Sequence, residues 1–177
     1  SPTSTNQTIG DSFSSRDIWL DLAYADYHPD NVDGLNVFVG KMKNPFYRAG
    51  GNQLIWDGDV SPEGGAARYN WDLNPSDAAT VTGGAFWLNE RFSDADAGYF
   101  GIQGMLKHKF HDDSHLIAGA SYYDIGNIEN KTSFASGVTL MGNTATTPGG
   151  LIYKYDYNIV EGFAEYGWDY DGTGTLA

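Results

Sequence analysis

The sequence contains no cysteine and few basic residues, and both deficits exclude classes of protein. Without Cys in its 177 residues, the chain can form neither a disulfide framework nor a thiolate metal site. Lys and Arg number 10 against 23 Asp and Glu, which gives a formal net charge of −13. Because phosphate backbones repel a chain this acidic, we expect no nucleic-acid partner.

Long hydrophobic runs are also absent. No apolar stretch approaches the ~18 residues of a candidate transmembrane helix, and no basic segment followed by an apolar one opens the chain as in a secretory signal. These absences still allow a membrane β-barrel, because strands that alternate between lipid and lumen leave no hydropathy maximum.

Alternation of apolar and polar residues is the pattern that the sequence does contain. A period of two places successive side chains on opposite faces of a strand. In the stretch YFGIQGMLKHKF (99–110), Phe100 and Leu106 fall on one face and Lys107 falls on the other. Seven such segments are predicted as strands, at about 17–27, 35–44, 66–73, 78–89, 99–110, 115–124 and 153–168, and an eighth begins near Thr173.

The connections between these segments alternate in length. The short ones carry turn residues, as in HPDNVDG, NPSD, HDDS and DYDGTG. The long ones cover about 45–65, 90–98 and 125–152, and an external loop is predicted at 1–16. Strict alternation is typical of outer-membrane barrels, which have short periplasmic turns and long external loops. We therefore predict an all-β, antiparallel, up-and-down transmembrane barrel, of which residues 1–177 form a single partial domain with about seven or eight strands.

Aromatic residues on the apolar faces predict where lipid headgroups lie. They gather near both ends of the strands, as amphipathic rings do at the two membrane interfaces. The alternative is a soluble antiparallel sandwich, but sandwich strands are usually ~5–6 residues long and the present segments are longer. The predicted lipid-facing belt consists of Tyr24, Tyr69, Trp71, Trp87, Phe100, Phe110, Tyr122, Tyr166 and Trp168.

Charged residues on the opposite faces are predicted to line a water-filled interior. The basic set is Lys41, Lys43, Arg68, Lys107 and Lys109, and the acidic set is Asp21, Asp72, Glu161 and Glu165. Basic groups inside a pore attract anions. Pairing with the lumen acids would weaken that attraction, and the sequence leaves both outcomes open.

The connection FYRAGGNQLIWDGDVSPEGG (46–65) is too apolar for a freely solvated loop. Leu54, Ile55 and Trp56 require cover, so we predict that it folds inward as a constriction loop. The alternative is an external loop packed on its neighbours. Folded inward, the loop would present three carboxylates to the basic wall: Asp57, Asp59 and Glu63.

Motifs of catalysis and cofactor binding are missing from the sequence. We find no G-x-S-x-G, H-E-x-x-H, P-loop or dinucleotide fingerprint, and so predict no enzyme, no catalytic residue, no metal site and no cofactor. Aspartate-rich stretches at 57–59, 94–98 and 169–174 resemble fragments of calcium loops but lack the full EF-hand pattern. Turn chemistry explains them equally well, and structural calcium stays the weaker alternative.

Several stretches resemble one known family: STNQT at 4–8, LDLAYADYHP at 20–29, GKMKNPF at 40–46, LIWDGDVSPEG at 54–64 and GGAFWLNE at 83–90. They make the chain similar to the putative porin family of Gram-negative bacteria. The resemblance implies a large barrel in the bacterial outer membrane, surrounded by outer-membrane lipid. It also implies that the barrel passes small hydrophilic solutes or ions and has no catalytic residues.

The chain differs from that family in extent. Family members are longer, and bacterial barrels usually finish on a strand with a terminal aromatic residue, whereas this sequence ends in TGTLA. We therefore expect an internal fragment of a larger barrel, whose other strands come from other segments or from other copies in a homo-oligomer. The alternative from another functional class is a secreted or periplasmic β-sandwich that binds calcium, or that binds carbohydrate with its Trp and Tyr as stacking platforms.

Overall fold

A computed structural model of the chain describes residues 20–111, 114–133, 140, 142–170 and 174–176. The expected external loop at 1–16 lies outside this part. Helix within the described residues is limited to one 3₁₀ turn, Ala49–Gly51, and no described helix is long and apolar enough to cross a membrane. The strands are β1 Ala23–Tyr27, β2 Leu35–Lys41, β3 Glu63–Asp72, β4 Asp77–Asn89, β5 Ala97–Lys109, β6 His115–Gly126, β7 Tyr157–Tyr170 and β8 Gly174–Leu176.

The strands form an antiparallel up-and-down sheet in the order β1 to β8. Short connections at 28–34, 73–76 and 110–114 alternate with long ones at 42–62, 90–96 and 127–156. Among the described residues, β1 pairs only with β2 and β8 only with β7, so the sheet has two edges and is not closed into a barrel. The prediction of an all-β, antiparallel, up-and-down sheet is confirmed. The second packed sheet of a sandwich is not found in this part of the chain.

Local turn chemistry accounts for the tight connections. In the β3–β4 turn, Oδ1 of Asn74 accepts hydrogen bonds from the backbone N–H groups of Ser76 and Asp77. In the β1–β2 connection, Gly34 has a φ of +84°, and a Cβ there would lie 2.2 Å from the carbonyl oxygen of Asn70. Only glycine meets both conditions, which fixes the entry of the chain into β2.

The register divides the side chains between two faces of the sheet, because directly paired residues of antiparallel strands share a face. One row across β3 to β7 is apolar apart from a tyrosine hydroxyl and defines the outer face: Tyr69, Val81, Gly104, Ala120 and Gly162. The adjacent row is polar and defines the inner face: Arg68, Thr82, Gln103, Ser121 and Glu161.

The main core lies on the inner face, where residues 42–62 fold over the sheet; we call these residues the inward segment. The ring of Phe46 stands edge-on to the rings of Phe86 and Tyr123, at centroid distances of 6.3 and 5.1 Å. Such aromatic pairs stabilise by ~0.5–1.5 kcal/mol beyond their burial. The buried cluster consists of Met42, Phe46, Trp56, Ala66, Phe86, Tyr99 and Tyr123.

Two of the predicted face assignments are wrong, those of Tyr24 and Lys41. Tyr24 lies on the inner face with Phe38, whereas Lys41 lies on the outer face directly opposite Glu63. The reason is that Met42 is buried in the inner core and Phe38 packs against it. The apolar face of β2 therefore points inward. Because β1 pairs with β2, the β1 residues directly opposite this face, including Tyr24, also point inward.

Candidate functional site

Side chains from three strands hold the inward segment against the inner face. Arg68 of β3 donates through Nη2 to the carbonyl oxygen of Pro45. Gln103 of β5 pairs with both backbone groups of Tyr47, accepting from its N–H at 2.7 Å and donating to its carbonyl oxygen at 2.9 Å. The backbone of the inward segment is thus hydrogen-bonded to β3 through Arg68 and to β5 through Gln103.

Glu165 of β7 is the third anchor. Its Oε2 accepts hydrogen bonds from the hydroxyl of Tyr47 and from the backbone N–H of Gly50, each at 2.6 Å. Hydrogen bonds to a charged partner contribute ~1.5–3 kcal/mol each, more than neutral ones. Burial, and secondarily the bond to the Glu165 carboxylate, raise the pKa of Tyr47, so the phenol keeps its proton and stays a donor at neutral pH.

A chain of hydrogen bonds continues from Gln103 across the inner face. Nε2 of the buried Gln103 also donates to Oγ of Ser121 at 3.0 Å, and that hydroxyl donates to Oε2 of Glu161 at 2.8 Å. Buried amides require partners, and this amide has them on both its oxygen and its nitrogen. The Gln103 side chain is therefore locked in the orientation that holds Tyr47.

The predicted basic residues other than Lys41 separate into two groups. Arg68, Lys107 and Lys109 lie on the inner face of their strands, with the two lysines toward the short-connection end. Lys43 lies on the inward segment and lines a cavity of about 240 Å³ together with Tyr24 and Arg68. The role of these residues in lining a pore stays a prediction.

The predicted acidic residues are also divided. Asp72 lies on the inner face in one row with Lys107 and Glu165, and Glu161 lies two inner-face rows further toward the long connections. Asp21 precedes β1, which begins at Ala23, so its prediction as a strand residue facing the interior is wrong.

The tryptophan of the predicted constriction loop is covered, as expected. Trp56 is buried, with its ring 4.7 Å from that of Tyr99. Leu54, which was also expected to be covered, is 89% exposed. The aromatic part of the segment is therefore packed on the sheet, and its role in constricting a pore stays a prediction.

The three carboxylates of the predicted loop do not act together. Asp57 and Asp59 are exposed, and Oδ1 of Asp57 accepts the backbone N–H of Asp59 at 2.9 Å, as in an Asx turn. Glu63 is the first residue of β3 and lies on the outer face opposite Trp87, so its predicted position against the basic wall is wrong. The segment has already returned to the sheet, where Pro62 accepts the N–H of Met42 at 2.9 Å.

The aromatic residues of the predicted belt, apart from Tyr24, lie on the outer face or at the ends of its strands. Trp87, Phe100 and Tyr122 lie toward the long connections. Toward the short connections, ring centroids are 4.3 Å apart for Tyr69 and Trp71, 6.2 Å for Phe110 and Tyr166, and 5.8 Å for Tyr166 and Trp168. Contact of these rings with lipid stays a prediction.

The aspartate-rich stretches form turns and ion pairs where the structure describes them. Oδ1 of Asp94 accepts the N–H of Ala95, and Oδ2 pairs with the ammonium group of Lys131, which lowers the pKa of Asp94. Residues 171–173 of the third stretch lie outside the described residues. No group of three or more His, Asp or Glu is placed to hold a metal ion in the part of the chain that is described.

A cavity of about 420 Å³ lies between the inward segment and the sheet; we call it the arginine cavity. Arg68 contributes to it from β3 and Arg48 from the inward segment. The sequence analysis missed Arg48 and its neighbour Tyr47. A signal was present, because YR interrupts an otherwise apolar and glycine-rich stretch. The other lining residues are Asn44, Pro45, Phe46, Tyr47, Gly51, Asn70, Thr82, Gln103 and Met105.

Comparison with known proteins agrees with the resemblance seen in the motifs. A family model described as putative porin matches residues 1–149, a range that contains β1 to β6 and the whole inward segment. No curated protein and no solved structure matches the chain. The family match supports a porin-like role and suggests an outer-membrane location. The chain belongs to the putative porin family.

Proposed function

We propose that the chain is part of an outer-membrane β-barrel that acts as a passive diffusion channel for small hydrophilic solutes or ions. The observation that carries the proposal is the exposed, largely apolar outer face of the sheet, opposite an inner face that carries polar side chains and is partly covered by the inward segment. On the outer face, Val160 is 81% and Ile102 is 45% exposed, whereas Gln103 and Ser121 on the inner face are buried. Extended apolar surfaces of this kind are rare in water and normal in lipid.

Strand length supports the same proposal. The strands from β3 to β7 have 10 to 14 residues. A tilted β-strand needs ~9–11 residues to cross the hydrocarbon core of a bilayer. Aromatic rings occur toward both ends of these strands on the outer face, at the two heights where headgroups would contact them.

Such a channel also needs partners for both edges of the sheet. In hydrocarbon, each unsatisfied backbone group costs several kcal/mol, so lipid does not tolerate open edges. We therefore propose that additional strands, from other segments or other copies, pair with β1 and β8. Pore width and inner-face charge would select the solutes, and no catalytic step is proposed.

Planar-bilayer recordings test the channel directly. Detergent-extracted protein of full natural length should give discrete, stable conductance steps. In a salt gradient, the sign of the reversal potential reports whether basic or acidic inner groups dominate selectivity. Folded and inserted protein that gives no steps would overturn the open pore, and protein that dissolves without detergent would overturn the membrane assignment.

A lysine on the outer face should impair folding into lipid, whereas one on the inner face should not. Ile102→Lys places a charge near the middle of β5 on the outer face, where the expected cost is ~2–4 kcal/mol. Asn70→Lys adds the same charge at an exposed inner-face position. The measurement is the folded fraction in lipid vesicles across a urea series. Equal losses in both variants would contradict the assignment of the faces.

A further inference from the structure

We propose that the arginine cavity is a binding subsite for small organic carboxylates, in which Arg48 and Arg68 hold the carboxylate. The proposal rests on the proposed channel and names a class of solute that the channel would favour. The two guanidinium groups come from different parts of the fold, one from the inward segment and one from the sheet. Their cavity of about 420 Å³ lies within the ~300–1,000 Å³ that small-molecule sites usually occupy.

Neither arginine has a carboxylate partner in the described part of the chain. The ion pairs within 4.0 Å there involve His28, His108, His115 and Lys131 as the basic members. In a chain with 23 acidic and 10 basic residues, unpaired arginines are unexpected on charge alone. Asp26 acts on Arg68 electrostatically without forming an ion pair.

Two inner-face acids beside the inward segment are already engaged by other donors. Glu165 accepts from Tyr47 and Gly50, and Glu161 accepts from Ser121. These hydrogen bonds, from donors on the segment and on the sheet, partly offset the negative charge of both carboxylates. They leave the guanidinium groups of the cavity available to an anion that enters from water.

Arg68 is held in place by groups that do not neutralise it. Its Nη2 donates to the carbonyl oxygen of Pro45, its Nε lies 3.4 Å from Oγ1 of Thr82, and its guanidinium carbon is 5.9 Å from the ring centroid of Phe38. Its Nη1 has no hydrogen-bond partner among the described residues and is not sealed from solvent. The side chain is therefore oriented in advance, which lowers the entropic cost of binding.

Arg48 is held in a similar way. Its Nη1 donates to the carbonyl oxygens of Asn52 and Trp56, at 3.3 and 3.5 Å. Nε and Nη2 have no hydrogen-bond partner within the described residues and are not fully buried. These two nitrogens form one edge of the guanidinium group, and such an edge matches the two oxygens of a carboxylate.

The remaining lining favours an organic acid over an inorganic anion. Phe46 and Met105 give the cavity apolar surface that suits a short carbon skeleton. Asn70 and Gln103 add polar groups at the same wall. Inorganic phosphate has no apolar part and carries more concentrated charge, which the acids of the inner face oppose.

Equilibrium dialysis with radiolabelled succinate tests the site in detergent-extracted, full-length protein. We expect saturable binding that weakens about tenfold or more in Arg48→Gln and in Arg68→Gln, since a hydrogen-bonded ion pair is lost in each. Lys109→Gln is the matched control, because it removes the same charge from the inner face at the end of β5, outside the cavity. The affinity of Lys109→Gln for succinate should change less than about twofold.

The results that would contradict the subsite can be distinguished from those that would contradict the channel. If Lys109→Gln weakens succinate binding as much as the arginine variants do, the overall charge of the inner face, rather than a defined site, attracts succinate. If phosphate binds as tightly as succinate, the proposal that the site prefers organic carboxylates is overturned. Conductance without succinate binding would overturn the subsite alone. Arginine-dependent binding without conductance would uphold the subsite and overturn the channel. If Arg68→Gln does not fold, Arg48→Gln decides, because Arg48 lies outside the strands.

Discussion

Phe46→Ala is expected to lower the free energy of unfolding by about 3–5 kcal/mol and to loosen the inward segment from the sheet. The ring of Phe46 is 4% exposed and fills the space between Phe86 and Tyr123. Its removal leaves a cavity at the centre of the core, between the hydrogen bonds that Arg68 and Gln103 make with the flanking Pro45 and Tyr47. Urea unfolding in lipid vesicles measures the loss.

Gly101 is the position on the sheet that makes room for this ring. A Cβ at Gly101 would lie 2.5 Å from Cζ of Phe46 and 2.8 Å from Cδ1 of Tyr123. Gly101→Ala should therefore cost about 1–3 kcal/mol by displacing the ring. Gly104→Ala is the matched control on the same strand, because a Cβ there meets nothing within 4 Å. Its effect should stay within about 0.5 kcal/mol.

The double variant Phe46→Ala/Gly101→Ala tests whether the two residues act through direct contact. With the Phe46 ring removed, the ring of Tyr123 can move away from the methyl group at position 101 into the vacated space, so the cost of that methyl group should largely disappear. The expected interaction energy is about 1–3 kcal/mol, within the range seen for residues in contact. Strictly additive costs would contradict the packing of Phe46 on Gly101.

The outer face could be predicted from the sequence because its side chains need only be apolar. Val81 and Trp87 in β4, like Phe100 and Leu106 in β5, fall on alternate positions of their strands and are exposed. The period of two is then undisturbed by tertiary contacts. The antiparallel, up-and-down order followed from the same alternation and from turn residues such as Asn74.

The phase of β2 could not be predicted in the same way. Phe38 and Met42 look like the outward residues of a barrel strand, but Met42 belongs to the inner core, Phe38 packs against that core, and Lys41 takes the outer position. An apolar face has two possible covers, lipid or a folded loop, and alternation does not distinguish them. The prediction for Tyr24 was wrong for the same reason, because the pairing of β1 with β2 determines which side chains of β1 face inward.

The arrangement of the site depends on contacts that are distant in sequence. Tyr47 is bonded to Gln103, 56 residues away, and to Glu165, 118 residues away. No local pattern encodes such pairs. Arg68 was placed correctly on the inner face from the alternation of its own strand, whereas Arg48 lies in a segment without periodicity.

Glu165→Ala is expected to release the end of the inward segment that follows Tyr47. The substitution removes the acceptor of two hydrogen bonds, from the Tyr47 hydroxyl and the Gly50 N–H. At ~1.5–3 kcal/mol for a bond to a charged group, a combined net loss of about 3 kcal/mol raises the open population ~100-fold. Limited trypsin cleavage after Arg48 reports that population when reclosing is fast. In the proposed channel, conductance should also rise, because the released segment would leave the inner face of the sheet.

Two further variants separate this anchor from a general effect of charge. Asp72→Ala removes the same charge from the same row of the inner face, but Asp72 lies on β3, and within the described residues no hydrogen bond joins its carboxylate to the inward segment. Its cleavage rate should therefore stay close to that of the unmodified protein. Tyr47→Phe removes one of the two bonds and should raise cleavage about tenfold. Cleavage equally fast in Asp72→Ala and Glu165→Ala would show that lost charge, rather than the loss of the bonds to Tyr47 and Gly50, releases the segment.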